Sequence, residues 1–194
     1  IDLAMQTATK YIGGHSDTLG GVLSGSRAMI RKIFDNEYNC IGNGITPFNA
    51  WLLLRGLRTL PARLDRISAT TRNVLEFLKK HPAVEQVIFP LDPSFPQFEL
   101  AQRQMSGASG LMSFFLRAAN AQEIETFCES LRHIRMAVSW GGHESLVIPK
   151  MAGIPFADFN PAERTHRMIR LYVGLEDPDH LIADLDQALA KGMG

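Results

Sequence analysis

Lys10 stands between a strand-like run, Leu3-Ala4-Met5-Gln6-Thr7, and a glycine turn, Gly13-Gly14, with the hydroxyls of Thr7 and Thr9 just before it. A lysine amine held where its charge is disfavoured has a lowered pKa and forms a Schiff base with an aldehyde cofactor. Thr7 and Thr9 are suited to donate to a phosphate, and Gly13 and Gly14 allow close backbone approach. The plain alternative is a surface ammonium beside a turn, which is what most lysines are. His15 lies in the same turn, where an imidazole more often satisfies backbone hydrogen bonds than moves protons.

A second constellation lies far along the chain. Arg170 stands alone among apolar neighbours in the run Met168-Ile169-Arg170-Leu171-Tyr172-Val173. An arginine there is costly unless it has an anionic partner. Its planar guanidinium can hold an α-carboxylate with two parallel hydrogen bonds, which an ammonium cannot. The competing reading is a salt bridge to a carboxylate of the protein. Ser139 and Trp140 close another apolar run; their ordinary reading is a buried strand end and a core aromatic, and for Trp140 packing and site lining are compatible. Arg55, Arg58 and Arg63 have the spacing of a basic patch, but such arginines more often pair with carboxylates or lie in a subunit contact.

These residues need elements to hold them. The chain opens with a short strand, a polar turn around Gly13 to Asp17 and an apolar return through Leu19 to Leu23. Ser26 is placed to cap a helix carrying Met29, Ile30, Ile33 and Phe34. After the break at Gly42 to Thr46, Pro47 opens an apolar helix that runs to about Leu60, where Pro61 interrupts. Leu64, Ile67, Thr71, Val74, Leu75 and Leu78 mark one amphipathic helix over 62–80. Strands are expected at 84–89, 110–116, 136–139 and 168–173, with helices at 121–132 and 177–191. The pattern predicts an α/β class with a boundary near residue 60, dividing the chain into 1–60 and 61–194.

Composition narrows the function. With 45% hydrophobic and 21% charged residues the chain has enough apolar material for a sizeable core. Twenty basic and twenty acidic side chains give zero formal charge without blocks of one sign, which argues against a nucleic-acid partner. Cys40 and Cys128, the two cysteines, stand in helix-like segments and in no metal-ligand cluster, so neither a metal nor a disulfide framework is expected and a reducing cytoplasm fits best. No apolar run approaches the roughly 20 residues a bilayer span requires, so no membrane partner is expected.

The run Thr7-Ala8-Thr9-Lys10-Tyr11 followed by Gly14-His15-Ser16-Asp17 resembles the cofactor-lysine signature of the Cys/Met metabolism family of pyridoxal-phosphate (PLP) enzymes. Leu54 to Pro61, Val138 to Leu146 and Ile169 to Asp177 are similar to further stretches of the same family. The resemblance thus covers almost the whole chain. It implies the C-terminal part of a PLP-dependent transferase-like fold, fold type I. Residues 1–60 would be the last portion of the large-domain sheet, and 61–194 a small α/β C-terminal domain. It further implies PLP on Lys10, phosphate contacts from Thr7 and Thr9, and substrate contacts from Ser139, Trp140 and Arg170. The partners it implies are a small sulfur amino acid and further copies of the chain, in a homo-oligomer built as a dimer of dimers.

Within that family, Ser139-Trp140-Gly141-Gly142 is more similar to β-lyases than to γ-specific enzymes, and Val138 replaces a glutamate common in the γ-specific cystathionine enzymes. The resemblance therefore implies β-elimination of cystathionine to homocysteine, pyruvate and ammonia, with cystathionine γ-synthase, cystathionine γ-lyase and methionine γ-lyase as alternatives. The family's ring-stacking tyrosine, pyridinium-binding aspartate and phosphate loop all lie upstream of its lysine. The chain starts at Ile1, close before Lys10, so preceding sequence is expected and the piece alone is expected to be inactive. From a different functional class, the alternative is a non-catalytic fragment that retains an assembly domain.

Overall fold

The computed structural model describes residues 1–42 and 44–194, and the chain divides into two compact units, Ile1–Ala62 and Arg63–Gly194.

In the first unit, β1 (Leu3–Thr7) pairs antiparallel with β2 (Gly21–Gly25), Leu3 opposite Gly25 and Thr7 opposite Gly21. The connection between them carries Lys10 and is tied at its neck, where the backbone N–H groups of Ala8 and Thr9 both donate to the Gly20 carbonyl, at 2.8 and 3.2 Å. Ser26 caps α1 (Arg27–Ile33), its hydroxyl accepting from the Met29 N–H at 3.2 Å. The helix loosens into a π-helical turn, Phe34–Tyr38, and ends in the short α2 (Asn39–Ile41). Thr46 caps α3 (Pro47–Arg58), with Pro47 in the first turn, where no helical hydrogen bond needs its missing N–H. Little of this unit is enclosed. Ala8 and Leu53 are buried, whereas Phe48, Trp51 and Leu54 are each more than half exposed. A two-stranded ribbon is marginal by itself, so α3 supplies what enclosure there is.

The second unit is led by α4 (Leu60–Lys80), which starts two residues before the position expected, because Pro61 occupies its first turn instead of interrupting the chain. The break falls at Thr59. Ile67, Thr71, Val74, Leu75 and Leu78 are buried along one face, as their spacing predicts. Then follow β3 (Val84–Ile88), α5 (Phe98–Gln104), β4 (Leu111–Leu116), α6 (Ala121–Ser130), β5 (Arg135–Met136), β6 (Leu146–Pro149), β7 (Met168–Tyr172) and α7 (Pro178–Gly192). Neither α5 nor β6 was expected from the sequence. Among the described residues the strands of this unit form a mixed five-stranded sheet in the order β3-β4-β7-β6-β5, parallel only between β5 and β6.

Two boundaries differ from expectation for a definable reason. The strand expected at 136–139 is only Arg135–Met136. It is an edge strand with β6 as its one partner, and after the Ala137 N–H donates to the Val147 carbonyl at 3.0 Å the chain leaves the sheet. The helix expected to reach Arg132 stops at Ser130. The N–H groups of Arg132, His133 and Ile134 turn instead to the buried carboxylate of Asp184 in α7, at 2.8, 2.9 and 3.0 Å.

The core of this unit joins Val74, Leu75 and Leu78 of α4 with Ile124 and Phe127 of α6, Leu181, Leu185 and Leu189 of α7, and one face of the sheet. Along β7, Ile169 and Leu171 enter that core, followed by Val173. Side chains alternate across a strand, so Arg170 and Tyr172 face the other way.

Candidate functional site

The lysine segment is ordered by its own backbone. Lys10 is half-buried, and its carbonyl accepts from the Gly14 N–H at 2.8 Å while the Ala8 carbonyl accepts from the Gly13 N–H at 2.7 Å. Thr7 ends β1 with an exposed side chain. The Thr9 hydroxyl accepts from the Gly20 N–H at 3.0 Å and lies 3.3 Å from the Gly20 carbonyl, joining the two ends of the connection. His15 Nδ1 is 2.8 Å from the Gly13 carbonyl oxygen, the backbone contact its place in the turn predicts. Arg55 and Arg58 are exposed on α3. Arg63, at the head of the second unit, is buried, and that burial pushes its guanidinium below its ordinary pKa.

The second unit brings Ser139, Trp140 and Arg170 together. Arg170 lies opposite Ser113 of β4 and Ile148 of β6, at the centre of the sheet. Its Nη2 donates to the Ser139 carbonyl at 3.3 Å, and its guanidinium carbon sits 5.5 Å from the centre of the Trp140 ring, within cation–π range. Its Nε is buried and has no hydrogen-bond partner among the described residues. Among the described residues no carboxylate lies within ion-pair distance of Arg170. None of the described residues therefore supplies the salt bridge that would give this arginine a purely structural role. What remains is a half-buried cation with a donor unused, backed by an aromatic face and a carbonyl.

Around these three residues the structure adds others that sequence reasoning passed over. Tyr172, fully buried, donates its hydroxyl to the Gly142 carbonyl at 2.8 Å. Glu176 accepts from the Ser145 N–H at 2.6 Å and from the Ser145 hydroxyl at 2.8 Å, and that hydroxyl accepts from the Gly174 N–H at 2.9 Å. Ser145 and Glu176 stand within the two stretches singled out in the sequence. Nothing in one sequence says that residues this far apart share hydrogen bonds.

The model of the Cys/Met metabolism PLP-dependent enzyme family matches residues 1–190. The chain belongs to this family. It is 37% identical to an L-methionine gamma-lyase of Treponema denticola, over 98% of this chain and 48% of that enzyme. It is 39% identical to a cystathionine gamma-lyase of Sus scrofa, over 97% of this chain and 47% of that enzyme. Among solved structures, a cystathionine gamma synthase from Xanthomonas oryzae pv. oryzae, in complex with aminoacrylate and cysteine, superposes with a TM-score of 0.88 at 34% identity, covering 99% of this chain and 50% of that one. The chain thus spans about half the length of the relatives it matches. Its fold is the mixed α/β C-terminal part of these enzymes.

Members of this family use PLP, and the residues around Lys10 fit a phosphorylated aldehyde. Lys10 offers a primary amine on a connection held by backbone hydrogen bonds. Thr7 presents an exposed hydroxyl, and the Thr9 hydroxyl, only loosely bonded to the Gly20 carbonyl at 3.3 Å, can turn its proton to an anion while still accepting from the Gly20 N–H. No helix among the described residues is long and apolar enough to cross a membrane, and none of their side chains form a metal-binding cluster.

Proposed function

We propose that the intact protein is a PLP-dependent carbon–sulfur lyase acting on a sulfur amino acid, with Lys10 carrying the cofactor and Arg170 taking the substrate's α-carboxylate. One observation carries this reading: Arg170 is a half-buried guanidinium with a partnerless Nε and no protein carboxylate within ion-pair reach among the described residues. Buried donors are rarely left unsatisfied, and a planar anion is the partner this fork is shaped for. PLP, when bound, supplies an electron sink for the negative charge that develops at the substrate's Cα. Thr7 and Thr9 donate to its phosphate. The freed amine of Lys10 removes the Cα proton and returns a proton to the departing sulfur. Arg170 fixes the carboxylate, so that Cα is presented in one orientation. Ser139 adds a polar contact on the carboxylate side, and Trp140 gives that side an apolar wall.

The finer reading is β-side cleavage of cystathionine, which with one water yields homocysteine, pyruvate and ammonia. Its support is Trp140 after Ser139, and Val138, which is exposed and apolar where an acid would read a distal ammonium. A second reading, elimination on the γ side, is favoured by the names of the relatives above, and Val138 also suits a substrate with an apolar distal end. Product analysis of the full-length enzyme with cystathionine, methionine and O-acylhomoserine separates them. Pyruvate from cystathionine supports the β reading. Predominant 2-oxobutyrate overturns it in favour of a cystathionine γ-lyase, and methanethiol from methionine with cystathionine untouched makes the protein a methionine γ-lyase.

The first unit is proposed as the closing part of the large cofactor-binding domain and the second as the small domain, a division supported by the thin core and exposed apolar side chains of the first. Assembly into a homo-oligomer, a dimer of dimers, is proposed with it. Two free cysteines support a reducing, cytoplasmic setting. Absence of any lyase activity in the PLP-loaded intact protein would leave the non-catalytic assembly reading in its place.

A further inference from the structure

We infer that Tyr172, seconded by the Ser145–Glu176 pair, is a positioning device for the carboxylate clamp: it sets where the segment 139–145 lies against β7, and thereby how Arg170 is aimed. The inference rests on the reading of Arg170 as the group that takes the substrate carboxylate.

Beyond Ala137 the chain leaves the edge of the sheet, so the backbone of 139–144 has no strand ladder to hold it until the Ser145 carbonyl accepts from the Arg135 N–H at 3.4 Å. Gly141, with φ at +86°, turns it in a conformation that a residue with a side chain adopts only under strain. What holds it is β7 and the residues that follow. Arg170 donates to the Ser139 carbonyl at 3.3 Å, Tyr172 to the Gly142 carbonyl at 2.8 Å, and the Leu175 N–H to the His143 carbonyl at 2.8 Å. At the far end the Ser145 hydroxyl joins the Gly174 N–H to Glu176.

Arg170 and Tyr172 are two positions apart on one face of one strand, and they grip carbonyls three positions apart on the same segment. The two grips are unequal. The Tyr172 bond has the usual length of an O–H···O bond, and its side chain is fully buried and fixed by packing; the Arg170 bond is longer than the usual N–H···O range. The tyrosine therefore places the segment, and the segment offers Arg170 a carbonyl and the Trp140 face against which to orient. Loss of the Tyr172 hydroxyl frees the Gly142 carbonyl and lets the segment shift, which misaims a guanidinium that must meet two oxygens at once. Tyr172 acts in this proposal through the segment it holds, not on the substrate.

The test uses the full-length PLP-loaded enzyme carrying Tyr172→Phe, which keeps the ring and its packing and removes only the hydroxyl. Two ligands are titrated by the change in cofactor absorbance: an unreactive α-amino acid, and the primary amine that corresponds to it without the carboxylate. The expected result is a loss of about tenfold in affinity for the amino acid and none for the amine, with KM raised far more than kcat is lowered. Glu176→Gln is expected to act in the same direction and serves if Tyr172→Phe fails to fold. Equal loss for both ligands, or a lowered Tm with unchanged amino-acid affinity, would overturn the inference and leave Tyr172 a packing residue. Arg170→Lys run alongside separates the two levels. If it too fails to discriminate the ligands, the clamp reading falls; if it discriminates and neither Tyr172→Phe nor Glu176→Gln does, only the positioning role falls.

Discussion

Gly56 of α3 lies directly against the carbonyl oxygen of Gly13 in the connection that carries Lys10. A Cβ at position 56 would collide with that oxygen and with the neighbouring carbonyl of Ile12. The helix can approach the lysine connection this closely only because it presents a bare backbone there. Gly56→Ala is expected to force the two apart. Overpacking of this kind costs on the order of 1–3 kcal/mol, and here the obstacle is backbone that cannot swing aside. Thermal unfolding of the intact protein should show a lowered Tm, and gel filtration should show faster loss of PLP; a variant with unchanged Tm and PLP content would mean that the connection tolerates displacement.

Lys10→Ala should abolish covalent retention of PLP. Borohydride treatment of the wild-type holoenzyme, followed by peptide mapping, is expected to place the reduced cofactor on Lys10. Label found on another lysine, or a cofactor absorbance band that survives the substitution, would move the assignment elsewhere.

Arg170→Lys keeps the charge and loses the fork. A charge-assisted hydrogen bond contributes about 1.5–3 kcal/mol, so kcat/KM should fall roughly tenfold to a hundredfold while PLP content stays at the wild-type level. An unchanged kcat/KM would show that the arginine is structural.

The carboxyl of Asp184 is buried, which opposes its ionisation, but N–H donors from Arg132, Ile134 and His133 and the Gln187 side chain outweigh burial and hold it below the usual aspartate range. A depressed folded-state pKa contributes stability that is fully present above the unfolded value, about 3.9, and is lost as pH falls through the folded value. Denaturant unfolding from pH 7 down to pH 2 should show this acid arm in the wild type and a flatter one in Asp184→Asn. The variant should also be less stable by about 2 kcal/mol or more at pH 7, because the backbone donors of 132–134 lose an ionic acceptor. Parallel pH curves for the two proteins would refute the assignment.

Burial, with a smaller contribution from Glu129, pushes the Cys128 thiol up to about 12. The thiolate is the reactive form, so Cys128 should resist maleimide in the native protein at pH 8 and react once the protein is unfolded. Mass-spectrometric mapping of the Cys128 peptide decides it, and native labelling would mean that α6 opens far more readily than its packing indicates.

Local chemistry was legible in the sequence. A turn chemistry of glycines and hydroxyls around Lys10, the Ser26 cap, the helix start at Pro47, the buried stripe from Ile67 to Leu78, and an arginine isolated in an apolar strand all depend on neighbours a few positions away, and the structure forms each of them. The family motifs lie in such local runs, which is why the resemblance could be read from one chain. Tertiary structure alone decided what depends on distant partners. It left no carboxylate of the described residues within ion-pair reach of Arg170, ended the strand at Met136, where the chain turns away from β6 after the Ala137 N–H, and stopped α6 at Ser130 because Asp184, from another helix, took the next N–H groups. It also joined Tyr172 to Gly142 and Ser145 to Glu176. A hydrogen bond between residues about thirty positions apart leaves no periodicity behind it, because its geometry exists only once the sheet has brought the two ends together.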